Sequence, residues 1–375
     1  MPVLYNYLFW QTIYKTIHGQ YYLLLIQQLL YLGKLKLYKM KNLLFTIIIF
    51  NILSCSNSVK NNDSIVVYDD SILNIIDKEA EIQYIVDSLT VAEGPLWDEN
   101  SSSLLFTQVP KNQIYKWNEQ EGFDVYISPS GFTNYAPVIP NIGLSGANGL
   151  TFDNDGNLII AQHGDRRLSK IENTQTTNPN FTTIVDNYEG NRFNSPNDVV
   201  VSSNGDIFFT DPTYGFMNLS DWSFDESVKE LDFSGVYKFS TESGIELVSN
   251  ELDLPNGLAL SNDERYLYVN SSNTAEAPII LKIDLENENK SDLFFDGTEL
   301  AKEFPGNFDG LKIHSSGNIF TTGPNGILVL SPDGELLANI KFKDMLTNCA
   351  FDSDENYLYV TGFSFVARIA LKNII

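Results

Sequence analysis

Cysteine is almost missing from this chain. Two occur in 375 residues, Cys55 and Cys349, so no disulfide framework holds the fold together. Histidine occurs three times, and only His163 and His314 fall in the candidate folded region. That leaves little imidazole or thiolate for a typical zinc centre. The Gly-x-Ser-x-Gly motif of serine hydrolases does not occur, which argues against covalent serine catalysis. Positive charge is scarce too, with 24 Lys and Arg against 48 Asp and Glu. Five of the lysines lie in residues 1–55, which hold no acid, so the rest carries 19 basic residues against 48 acidic ones. Such a surface repels nucleic-acid phosphates and anionic lipid headgroups, and it suits cations and small neutral substrates. A nucleic-acid partner is therefore not expected, and the charge favours a monomer. Long apolar runs are also lacking. The run at residues 43–53 has the length of a signal-peptide core rather than of a membrane span.

What surrounds that run is informative. Met40-Lys41-Asn42 precedes it, Ile52-Leu53-Ser54-Cys55 ends it, and Ser56-Asn57-Ser58 follows. This is the layout of a bacterial lipoprotein signal, with Cys55 as the lipidated first residue of the mature protein. The expected location is the cell envelope, with membrane contact only through that lipid. Residues 1–39 fit no signal, so translation is expected to start at Met40. Residues 56–80, polar and acidic, are expected to be a tether, and residues 81–375 the folded domain.

Beyond residue 80 the chain repeats. Six units open on Glu93-Gly94, Asn148-Gly149, Asn197-Asp198, Asn256-Gly257, Asp309-Gly310 and Asn348-Cys349, spaced by 55, 49, 59, 53 and 39 residues. Six residues after each opening comes a turn former or charged residue, then a second apolar strand, and in most units a third. Nothing between them reads as a long amphipathic helix. The expected fold is all-β, a six-bladed β-propeller with a central metal site, and residues 82–86 are expected to fasten the last blade. A β-sandwich is the alternative.

In such a ring the first strand of every blade starts at the same face, so Glu93, Asn148, Asn197, Asn256, Asp309 and Asn348 are predicted to meet at the axis. A ring of carboxylates and amides offers only oxygen, which suits a hard divalent cation. The plain alternative is that Asn-Gly and Asp-Gly merely start strands. Against it, the hairpin turns are already supplied six residues later. Positions 14 to 16 after each leader return to the same face, which places His163, Ser272 and the stretch from Asp211 to Tyr214 near the pocket.

Ala92-Glu93-Gly94-Pro95, Ser195-Pro196-Asn197-Asp198, Leu254-Pro255-Asn256-Gly257 and Phe308-Asp309-Gly310 resemble the signatures of the gluconolactonase/regucalcin family. His163-Gly164-Asp165-Arg166-Arg167 and Asp211-Pro212-Thr213-Tyr214-Gly215 resemble its bacterial gluconolactonase branch. The resemblance implies one divalent ion, Ca²⁺ foremost, with Zn²⁺, Mn²⁺ and Mg²⁺ as alternatives. It implies Glu93, Asn197, Asn256 and Asp309 as metal ligands, and Asp309 as the base in hydrolysis of a lactone. His163, with an ordinary pKa near ~6.5, is the physical competitor for the base. Asn148, Asp211 and Tyr214 are the expected substrate contacts. Ser195 stands where regucalcin-like members carry an arginine that contacts the sugar. Hydrolysis of another ester or a phosphotriester is a rival reading, and so is a non-catalytic propeller that binds carbohydrate or protein.

Overall fold

The computed structural model describes residues 64–140, 143–171, 179–273 and 278–372. Cys55 and the whole signal-like segment lie outside these. Six antiparallel sheets of four or five strands account for most of the described chain, with two two-stranded ribbons beside them. In chain order the blades are built on residues 92–127, 147–185, 199–249, 255–296, 311–341 and 346–370. The inner strand of each blade lies against the inner strand of the next, and the sixth lies against the first. The ring is closed. It is the six-bladed β-propeller the repeat predicts.

Closure is made by the amino-terminal side of the domain. Ile82–Asp87 pairs antiparallel with Phe365–Ala370 and forms the outermost strand of blade six. Blade six therefore takes strands from both ends of the fold, so no edge is left at the seam.

The strands read as continuous apolar runs because both faces of every blade are covered. Side chains alternate across a strand, and in a propeller each side meets a different neighbour. Leu104 and Phe106 pack toward blade six, whereas Leu105 packs toward blade two. Phe209 faces blade two while Phe208 faces blade four. Six such clusters, one for each blade interface, form the core.

One expectation is corrected here. Residues 64–80 are not a tether. Ser64–Val67 pairs with Leu336–Lys341 as a fifth strand on blade five. A 3-10 turn at Asp70–Asn74 follows, capped by the Asp69 carboxylate accepting from the Ser71 amide at 2.8 Å. Ile72, Ile75 and Ile76 are buried in the cluster between blades five and six. The segment is acidic on its exposed side, and that outweighed three isoleucines too closely spaced to show a strand pattern.

Candidate functional site

The leading residues reach the axis for local reasons. In blades one, two, four and six the strand register slips near the leader, for example between Glu93 and Leu96 and between Pro255 and Leu258. A bulge of this kind bends the strand and re-aims its side chain. In blades three and five the ladder starts only at Val199 and Leu311, which leaves Asn197 and Asp309 just ahead of it.

The glycine after most leaders has a packing role. A Cβ on Gly94 would stand 2.1 Å from the Asn148 carbonyl oxygen, and one on Gly257 would stand 2.2 Å from that of Asp309. Inner strands approach so closely that only glycine fits. The Gly257 amide donates to the Asp309 carbonyl at 2.8 Å, which joins the strands of blades four and five directly.

Glu93, Asn148, Asn197, Asn256 and Asp309 line one cavity of about 350 Å³, together with Tyr214 and Ser272. All five leaders but Asp309 are among the most buried polar residues of the described chain. Two of the amides are locked with oxygen inward. Nδ2 of Asn256 donates to the Ser272 hydroxyl at 2.9 Å, and that hydroxyl donates to the Phe308 carbonyl at 2.5 Å. Nδ2 of Asn148 donates to Nε2 of His163 at 3.1 Å, while Nδ1 of His163 bonds the Leu144 carbonyl at 3.1 Å. Since a carbonyl only accepts, the proton sits on Nδ1 and Nε2 is the acceptor.

These ties leave Oδ1 of Asn148 and Asn256 buried and without a hydrogen-bond partner, and Oδ1 of Asp309 is unpartnered beside them. Three orphaned oxygens around one cavity are unusual in a folded interior. The carboxyls tell the same story. Burial pushes Glu93 up to about 7, with the nearby Asp198 carboxylate adding to the rise. Burial likewise holds Asp309 well above the usual range, with Glu93 and then Asp198 contributing. Two carboxyls this close do not both ionise without a counter-charge. Lys312 lies 3.7 Å from Asp198, so that acid already has a cation beside it. Asp198 takes the place that glycine fills after four of the six leaders.

The residues present therefore fit a hard divalent cation held by Glu93, Asn197, Asn256 and Asp309, with Asn148 on the same wall. Among the described residues no group of three His, Cys, Asp or Glu side chains is placed to hold a metal. A site made of two carboxylates and several amides is not of that type.

Two expected site residues take other places. His163 is buried behind Asn148, is absent from the cavity wall, and has both ring nitrogens occupied. Burial pushes it down to about 4, which favours the neutral ring. Asp211 is also off the cavity wall. Its carboxylate accepts from the backbone amides of Asn194 and Ser195, each at 2.7 Å, and so braces the turn that presents Asn197. Its carboxylate is committed to that turn rather than to the cavity. Asn348 belongs to the ring without lining the cavity. It donates to Glu93 at 3.2 Å and accepts from the Cys349 amide at 2.9 Å.

Tyr214 does line the cavity, with its hydroxyl near Ser272 and Asn256. The buried arginines after His163 are structural. Arg167 bonds Asp165 at 3.2 Å, and Asp165 accepts from the amides of Thr133 and Tyr135 at 2.9 and 3.2 Å. Sequence reasoning did not show the hold of Ser272 on Asn256, nor the apolar residues around the mouth. Only the pairing of distant strands brings them together.

A family model described as SMP-30/Gluconolactonase/LRE-like region matches residues 91–364. A gluconolactonase from Zymomonas mobilis is 34% identical over 307 residues, which covers 80% of this chain and 83% of that protein. Among solved structures, a gluconolactonase from Xanthomonas campestris superimposes with a TM-score of 0.71 at 24% identity, covering 83% of this chain and 96% of that one. Regucalcin from Agrobacterium tumefaciens, described as a calcium-binding protein, gives 0.56 at 17% identity over 78% of this chain and 95% of its own. The match over most of the blades and the oxygen ring at their axis agree: this chain belongs to the SMP-30/gluconolactonase/LRE-like family.

Proposed function

We propose that this protein hydrolyses a small lactone in the axial cavity, with a divalent cation, Ca²⁺ foremost, held by Glu93, Asn197, Asn256 and Asp309. The observation that carries this reading is the set of unpartnered inward oxygens on Asn148, Asn256 and Asp309. The 34% identical relative named gluconolactonase supports the reaction class. A bound cation supplies a Lewis acid that polarises the lactone carbonyl. Asp309 has a free Oδ1 at the cavity, so it takes the proton from the attacking water. As the new C–O bond forms and the ring C–O bond breaks, that proton passes to the departing ring oxygen, and the product is a hydroxy acid. Tyr214 stays protonated, because burial raises its phenol further, and so it can donate to the substrate. Asn148 and Asn256 are held by His163 and Ser272, so their oxygens need no rearrangement on binding.

The test follows acid release from a panel of δ-lactones by chelator-stripped protein. Activity is expected to vanish on stripping and to return with Ca²⁺ or another divalent ion, while the fold stays intact by circular dichroism. Undiminished turnover after stripping would refute the metal dependence.

We also read the mature protein as lipid-anchored in the cell envelope at Cys55. The support is the sequence pattern Met40-Lys41-Asn42, the apolar run, and Leu53-Ser54-Cys55. Labelled palmitate should enter the full-length protein in a bacterial host and be lost in Cys55→Ser. Equal labelling of both would end this reading.

A further inference from the structure

We propose that the lactone this site prefers carries an apolar substituent, an alkyl chain or aryl ring, rather than a set of hydroxyls. The inference rests on the lactone-hydrolysis reading and names the substrate class within it.

The cavity has two zones. Its deep end holds the oxygen ring. Beyond it the wall is mainly apolar, supplied by Leu144, Met217, Leu219, Trp222, Met345 and Phe363, with Asn307 and Thr347 the polar exceptions. Among the described residues, no Lys, Arg or His lines any part of it. This wall belongs to none of the six blade interfaces. Val109, Leu144 and Met217 form a separate buried cluster, packed against by Val91, Tyr214, Leu219 and Phe224. A short ribbon, Met217–Asn218 with Ser223–Phe224, presents Leu219 and Trp222 from the turn between its strands. That turn closes with the Trp222 amide donating to the Asn218 carbonyl at 2.8 Å. Trp222 then sits beside Phe363 with ring centroids 6.2 Å apart.

At the mouth the apolar surface is open. Trp222 is 56% exposed and Met345 43% exposed. Large apolar side chains held at the rim of a polar site are an unmet binding surface. A substituent that covers them gains about fourfold in affinity for each methylene buried.

Hydroxyls would fare worse here. Each one placed against the apolar side chains of this wall gives up water without finding a partner. The position where the family's sugar-contacting arginine is expected holds Ser195, which is absent from the cavity wall and whose only donor is already used. Its hydroxyl donates to the Pro212 carbonyl at 2.5 Å and accepts from the Gly215 amide at 2.8 Å. A Cβ on Gly215 would lie 2.5 Å from Cβ of Ser195, so the backbone is packed tightly around this residue.

The experiment compares kcat/KM for three δ-lactones on metal-restored protein: δ-valerolactone, δ-decalactone with its pentyl chain, and glucono-1,5-lactone. The pentyl lactone is expected to exceed valerolactone by at least about tenfold, since three of its methylenes covered at about fourfold each already exceed that. Glucono-1,5-lactone is expected to rank last. Trp222→Ala and Leu219→Asn should each lower the decalactone-to-valerolactone ratio several-fold. As a binding readout free of turnover, a pentyl-substituted δ-lactam should alter tryptophan fluorescence in the wild type and not in Trp222→Phe. Preference for glucono-1,5-lactone over decalactone would overturn the inference while leaving lactone hydrolysis in place. Hydrolysis of none of the three would overturn both.

Discussion

Asp309→Asn should lower kcat by about three orders of magnitude or more while leaving the protein folded. The change keeps the side-chain shape and removes two functions at once. It deletes one of the two carboxylates available to a cation, and it deletes an unpartnered carboxylate oxygen at the cavity that can accept the proton of water. Losing a general base alone costs about 10²–10⁴-fold.

Stability should move the other way. In metal-free protein the Asp309 carboxyl is held above its ordinary range by burial and by Glu93. A group whose folded pKa is raised leaves stability intact at low pH and erodes it as pH rises through the folded value. For Glu93 that window runs from the ordinary 4.5 to about 7. Metal-free wild type should therefore melt lower as pH rises across it, and Asp309→Asn should flatten the decline.

His163→Leu is the control. It frees Nδ2 of Asn148 from its acceptor and should cost about 10–100-fold, the usual effect of losing a group that orients a ligand. The acidic limb of its pH–rate profile should persist, because a histidine held near 4 by burial is neutral throughout the working range. If Asp309→Asn kept a tenth of the activity and His163→Leu lost that limb, the two roles would have to be exchanged.

The second large effect concerns stability. A chain beginning at residue 81 keeps every blade strand that the repeat reveals, yet it should unfold far more readily than one beginning at residue 56. It loses Ile72, Ile75 and Ile76 from the cluster between blades five and six, together with the partly buried Ile65 and Val67 packed against it. At about 1.5–3 kcal/mol for each buried isoleucine, the three together approach the whole stability of an ordinary domain, about 5–15 kcal/mol. The Lys372 amide, which donates to the Ile75 carbonyl at 2.7 Å, loses its partner as well. Urea unfolding of the two chains measures this directly. Coincident midpoints would show that the segment only rests on the surface.

Much of this architecture was legible beforehand. A six-fold recurrence of one polar leader, one turn and two apolar runs has few solutions, because a single blade cannot bury both its faces. The ring of leaders followed from the same repeat, since equivalent positions in a closed array share one axis. The segment at residues 64–80 was not legible, because it lies outside the repeat and its partner strand, Leu336–Lys341, is some 270 residues away in sequence.

Within the site, chain position and side-chain direction proved to be separate matters. Strand length places His163 and Asp211 at the correct face. Which way each points depends on what its neighbours offer: the Leu144 carbonyl and the Asn148 amide for His163, and two backbone amides for Asp211. The glycine after a leader carried no meaning in one dimension, whereas in three it marks where adjacent inner strands nearly touch.

The sequence by itself determined the class of fold, the number of blades and the oxygen character of the axial ring, because all three depend on periodicity and residue type. Tertiary structure alone decided which oxygens stay unpartnered, which acids brace loops, and where the apolar wall of the cavity stands. Those properties depend on contacts between residues from different blades. A hydrogen bond or a buried face exists only once both partners are in place.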